Sequence, residues 1–134
     1  MKSEVKSLVQ SGEKFKQAIV YRSDLSLSIA SLVKYSTHCT DQLIRKVQNE
    51  RVKNEAAYLW LKAWFVLNSP KEITSTKSDS KLSEMKHEAA RLGVPTHLVT
   101  ISRPQQVSGV NEATKAILVV GPARESVIDN IISI

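Results

Sequence analysis

Phe15-Lys16-Gln17-Ala18-Ile19-Val20-Tyr21, followed by Arg22-Ser23-Asp24-Leu25, is the stretch on which the fold turns. Its seven leading residues are dominated by aromatic and β-branched side chains, and the polar Arg-Ser-Asp break ends the run, which is the pattern of a short strand. It is expected to be the first strand and a central one.

Downstream, Ile29, Leu32, Val33, Leu43, Ile44 and Val47 recur at helical spacing, with the small Ser36 and Thr40 completing the register. A long amphipathic helix is expected, its buried stripe formed by these positions and flanked by Cys39. At 100° per residue, Ser31, Lys34, His38, Asp41 and Arg45 share the opposite face, so any chemistry on this helix is expected there. A second, shorter helix is predicted over Glu55 to Lys62 and a second strand over Ala63 to Leu67. Thr74 to Ser80, with no apolar residue, reads as a loop that delivers Asp79 or Ser80 as an N-cap. Leu82, Met85, Ala89 and Leu92 mark another helix ending at Gly93. His97 to Ile101 and Ala116 to Val120 read as strands three and four, with Gly121-Pro122 closing the last one, and Val127, Ile128, Ile131 and Ile132 as the buried side of a final helix.

The element order is therefore β-α-α-β-α-β-β-α. Helical crossovers favour parallel pairing of the first strands, and the short last loop allows an antiparallel neighbour. The fold class is α/β, a mixed four-stranded sheet flanked by helices. Residues 1–13, polar and ending at Ser11-Gly12, are expected to form a leading helix or tail outside a single domain of residues 14–134. The size suits one domain: 134 residues, enough to bury about two thirds of the unfolded surface.

The composition, 42% hydrophobic and 24% charged, is that of a soluble globular protein. The longest apolar runs fall far short of the roughly 20 residues of a membrane helix, and the charged N-terminus has no secretory h-region. A cytoplasmic location with no membrane partner is expected. The single Cys39 excludes an internal disulfide and a cysteine-based zinc knot, and Cys39 itself is expected in the core. Three scattered histidines, His38, His87 and His97, do not make a metal site. With no Gly-rich phosphate loop and no Gly-x-Ser-x-Gly elbow, neither a metal nor a cofactor is expected. The net charge is +6, and residues 1–64 carry +5 of it against +1 for residues 65–134. That field suits tRNA or another polyanion.

Three landmarks together resemble the class II peptidyl-tRNA hydrolases, which release peptides from peptidyl-tRNA by hydrolysing the ester at the tRNA end. Ile19 to Leu25 looks like their first strand and its Arg-x-Asp-Leu turn, with His38 falling on their helix histidine. Ala90-Arg91-Leu92-Gly93-Val94-Pro95 resembles the helix end before the third strand. Ala116 to Asp129, AILVVGPARESVID, resembles the last strand, its Gly-Pro turn and the final helix. The resemblance runs from residue 15 to residue 132 and implies the same fold, a tRNA partner and a homodimer, for which Trp60 and Trp64 are interface or core candidates.

The resemblance also shows departures. Ser31 stands where that family has a lysine, Thr100 where it has an aspartate, Pro104 where it has a threonine, and Tyr35 where a glutamine precedes the histidine. Arg103 and Gln105 match its arginine and glutamine. Loss of one positioned acid or base commonly costs about 10² to 10⁴ in rate, so efficient hydrolysis by the family mechanism is not expected. If the chain hydrolyses an ester, Lys34 and His38 are the candidates for proton transfer, with Asp41 orienting the His38 ring. Arg103, Gln105, Arg45 and Asp24 are candidates for substrate binding, Asp24 having a capping role as its alternative. Ser31 and His38 cannot act as nucleophile and base, because seven residues of helix separate them by roughly 10 Å. The alternative is a non-catalytic module for RNA, protein or a small ligand, with a pocket lined by Ser31, Tyr35, Thr100 and Pro104.

Overall fold

The computed structural model describes residues 2–104 and 111–134, with side chains placed for 3–101 and 114–134. In chain order the elements are α1 (Lys2–Gln10), β1 (Phe15–Arg22), a 3-10 turn (Ser23–Leu25), α2 (Ile29–Asn49), α3 (Glu55–Val66), β2 (Lys71–Thr76), α4 (Asp79–Arg91), β3 (Thr96–Pro104), β4 (Asn111–Arg124) and α5 (Glu125–Ile132). The four strands form one mixed sheet in the order β2-β1-β4-β3. β1 lies parallel to β2 and antiparallel to β4, and β3 and β4 form an antiparallel hairpin.

β1 is central, as its composition predicts, and residues 15–20 are buried throughout. Its side chains alternate between two cores. Ala18 and Val20 meet Leu82, Met85 and Ala89 of α4 and Ile128 and Ile131 of α5. Ile19 meets Cys39 and Leu43 of α2 together with Val99, Ile117 and Val119. At the start of β1, Phe15 joins Val47, Leu61 and Trp64, a cluster on which Leu8 and Val9 of α1 also pack. The leading helix is thus seated on α3 by its apolar residues.

The second strand differs from expectation. Ala63 to Leu67 is not a strand: residues 63–66 form the last turn of α3 and Leu67 caps it. The i, i+4 pair Trp60 and Trp64 lies on one helix, and Trp64 is buried with its indole N–H donating to the Pro70 carbonyl at 2.7 Å. β2 instead occupies Lys71–Thr76, overlapping at Thr74 to Thr76 the stretch expected to be a loop, and pairs with β1 from Gln17↔Lys71 to Arg22↔Thr76. As an edge strand it needs little apolar content, and Ile73 is largely exposed.

Smaller differences follow from local hydrogen bonding. Ser78, not Asp79 or Ser80, caps α4, its hydroxyl accepting from the Lys81 amide. Gly93 ends that helix at φ +72°, with Gly93 N–H donating to the Ala90 carbonyl and Val94 N–H to that of Ala89, a Schellman motif. In α2 the buried positions are Cys39, Thr40, Leu43 and Val47, whereas Ile29 and Val33 are exposed. The last strand runs on through Gly121-Pro122 to Arg124. A Cβ on Gly121 would stand 2.9 Å from the Lys16 carbonyl, so only glycine fits there. Among the described residues no helix is long and apolar enough to cross a membrane.

Candidate active site at the strand ends

Sheet register decides which residues meet. Ile117 of β4 faces Tyr21 on one side and Val99 on the other, so the paired stretches 100–104 of β3 and 111–115 of β4 reach past the end of β1. The 3-10 turn after β1 leads into α2, which places the first turns of that helix at the same end. Leu32, Tyr35 and Ile101 pack on the cluster beneath, closing helix against hairpin. Three segments far apart in sequence therefore converge: the turn after β1, the start of α2 and the base of the hairpin.

In the turn, Arg22 holds Asp24 with two hydrogen bonds, Nε to Oδ1 at 3.0 Å and Nη2 to Oδ2 at 2.6 Å, and Nη1 donates to the Lys115 carbonyl at 3.1 Å. Hydrogen bonding from Arg22 holds the Asp24 carboxyl below its usual range, and the same bonds raise the guanidinium. Asp24 is thus a fixed anion and does not cap α2. That task belongs to Ser28, whose Oγ accepts from the Ser31 amide at 3.1 Å and donates to the Ser31 hydroxyl at 2.9 Å. Ser23 ties the turn to β2 by donating to the Thr76 carbonyl.

On α2, Lys34 and His38 are exposed, and the Lys34 ammonium sits 5.7 Å from the centre of the Tyr35 ring. Asp41 does not orient His38; it pairs with Arg45, Oδ2 to Nε at 3.3 Å. His97 is half-buried on β3, and burial, with smaller contributions from Lys46, His38 and Lys86, pushes its imidazole below the usual value. Thr100 is exposed at the base of the hairpin. Arg103 and Pro104 pair with Glu112 and Asn111 along its backbone, while their side chains and the whole of Gln105 lie outside what the structure describes. Among the described residues no group of three or more His, Cys, Asp or Glu side chains is disposed to hold a metal ion.

A family model described as Peptidyl-tRNA hydrolase PTH2 matches residues 15–133. The chain belongs to that family. Two curated relatives of this peptidyl-tRNA hydrolase family member carry the name peptidyl-tRNA hydrolase. The protein of Thermococcus onnurineus is 31% identical over 118 residues, and that of Thermococcus sibiricus 30% over 118 residues. Each alignment covers 88% of this chain and 92% of the relative.

Two groups at this end escaped the sequence reading. Arg22 was legible as part of the Arg-x-Asp turn, but its grip on Asp24 depends on the two-residue reversal. Lys115 gave no signal: its ammonium lies 3.1 Å from the Ser83 hydroxyl and 3.9 Å from Asp79, contacts made only when α4 packs beside β4.

Proposed function

We propose that this family member binds peptidyl-tRNA at the strand ends and cleaves its ester there. The observation that carries the reading is the convergence of the Arg22–Asp24 turn, the first turns of α2 and the hairpin base at one end of the sheet. Ester hydrolysis needs a water deprotonated as it attacks the carbonyl, a donor for the oxyanion, and a proton for the departing tRNA oxygen. Lys34 and His38 stand four residues apart, one helical turn, so a carbonyl and its attacking water fit between their side chains. In this reading the His38 imidazole takes the proton from water, and the Lys34 ammonium faces the oxyanion and supplies a proton to the departing tRNA oxygen. Asp24, fixed by Arg22, keeps the turn in place, and Arg45, Arg103 and Gln105 meet the substrate.

Single-turnover hydrolysis of a labelled N-acyl-aminoacyl-tRNA tests this. The native chain is expected to release the peptide analogue, and the Lys34→Ala, His38→Ala double variant to lose at least about 10²-fold in rate. Equal rates for the two would remove both residues from the reaction.

One observation favours a second reading, a module that binds tRNA without cleaving it. The Ser31 hydroxyl, at the position of the family's lysine, is bonded to Ser28 in the helix cap, which leaves that position a structural role. Bound tRNA with no turnover in the same assay would select this reading.

A further inference from the structure

The face of the sheet opposite α2 carries a second basic feature. α4 presents Ser83, Lys86, His87 and Ala90, one stripe at i, i+3, i+4 and i+7, toward β3 and β4. Between them lies a crevice of about 320 Å³. Leu82 and Leu98 line it along with the stripe, and Lys115 completes the wall. No acidic residue lines it, although residues 65–134 are nearly neutral in sum.

Ion pairing explains how a near-neutral half yields a basic crevice. Glu84 pairs with Lys81, Glu88 with Arg91, and Glu72 and Asp129 both with Lys16. The acids are thereby drawn to the outer side of α4 or to the other edge of the sheet. Among the described residues Lys86 and His87 have no ion-pair partner, and Lys115 has only the 3.9 Å contact with Asp79. The Ser83 hydroxyl, 3.1 Å from Lys115, adds a neutral donor. Two ammonium groups, an imidazole and a hydroxyl around an apolar floor suit a compact, multiply accepting anion.

We infer that this crevice is a phosphate subsite, and that it holds a backbone phosphodiester of the tRNA whose ester end lies at the strand ends. The second half of the inference rests on the tRNA binding proposed above. Continuity supports it: the carbonyl of Lys115 accepts from Arg22 at the strand ends, while its ammonium reaches into the crevice on the opposite face. A single residue thus joins the two features, and an RNA strand leaving the candidate active site over β4 meets the crevice next. The sequence-level excess of charge in residues 1–64 predicts contact through the α2 side. The crevice adds an anchor built wholly from residues 82–115.

Equilibrium binding of fluorescently labelled deacylated tRNA, read by anisotropy across a salt series, tests the inference. Lys86→Ala with Lys115→Ala is expected to weaken binding at least tenfold at low salt and to reduce the slope of log K against log salt by about one to two. Lys86→Arg with Lys115→Arg is expected to restore the slope, and Lys81→Ala, whose ammonium faces Glu84, to leave both quantities unchanged. Inorganic phosphate, titrated into the protein and followed by amide chemical shifts, separates the two sources of the anion. Shifts at Ser83 and Leu98 that the alanine pair abolishes, with tRNA affinity untouched, would mean a free-phosphate site and overturn the RNA half. Native affinity and slope in the alanine pair, with no phosphate shifts, would overturn the subsite and leave the proposed function standing. Absence of any tRNA binding by the native chain would instead sink the proposed function, and the RNA half of this inference with it.

Discussion

Arg22 grips both carboxylate oxygens of Asp24 across a two-residue reversal, and the same guanidinium spans to the Lys115 carbonyl of β4. One side chain thereby fixes the turn after β1 against the strand beside it. The pair joins a strand end, a helix entry and a hairpin base, so its loss is expected to act on both the site and the fold.

Asp24 titrates below its ordinary value of 3.8 because Arg22 bonds its ionised form. The unfolded chain therefore takes up this proton first on acidification. The contribution of the pair is complete above the ordinary value and drains away as pH falls through the lower folded value. Asp24→Asn should lower the melting temperature at pH 7, and the gap from the native chain should close toward pH 2. A gap constant over that range in thermal melts would show that the carboxylate charge does not matter.

His97 carries the same sign for a different reason. Burial first, then the charges of Lys46, His38 and Lys86, hold its folded value below the ordinary 6.5, so the unfolded chain protonates first. Stability is expected to fall as pH drops below 6.5, and His97→Gln should flatten that part of the profile. Urea midpoints at pH 7.5, 6.5 and 5.5 for both proteins measure it.

Gln17 is completely buried in β1 and fully engaged: its amide nitrogen donates to the Gly121 carbonyl at 3.2 Å, and its amide oxygen accepts from the Thr40 hydroxyl at 3.3 Å. Gln17→Leu strands both partners and should cost about 1–3 kcal/mol. Thr40→Val removes one orphan, so in the Gln17→Leu background it should cost less than it does alone. Chemical denaturation of the four proteins of the cycle gives the coupling directly.

Cys39 lies in the core beside Leu43 and Val119, and burial pushes its thiol up to about 11. Against an ordinary value of 9.0, the thiolate fraction near neutral pH falls by about 100-fold. Reaction with a thiol-specific disulfide reagent at pH 7.5 should be slower than in denaturant by at least that factor. Rapid labelling of the native protein would place Cys39 at the surface.

The parts of the fold that were legible are those where one local signal dominates. Phe15 to Tyr21 read as a central strand because aromatic and β-branched side chains dominate it, and Leu82, Met85 and Ala89 read as a helix face because a polar remainder leaves no other period. The second strand was not legible. Ala63 to Leu67 is short and wholly apolar, and periodicity alone does not separate such a run from a buried helical turn. Lys71-Glu72-Ile73-Thr74-Ser75-Thr76 carries almost no apolar signal because an edge strand draws its stability from backbone pairing with β1.

Within the candidate site the same division holds. The sharing of one helix face by Lys34, His38, Asp41 and Arg45 follows from the helical repeat alone, and all four are exposed. Partner choice does not: Asp41 lies three residues from His38 and four from Arg45, and the opposite charge takes it.

By itself the sequence determined the α/β class, the order of the elements around a central β1, the membership of the family through its ordered landmarks, and the polar face of α2. These depend on side-chain period and type, quantities local to the chain. Only the tertiary structure decided that Arg22 reaches Lys115, that Ser28 rather than Asp24 caps α2, and that Lys86, His87 and Lys115 share a crevice free of acids. Those outcomes depend on strand register and on which charges neutralise one another in space, and neither is written in the spacing of residues along the chain.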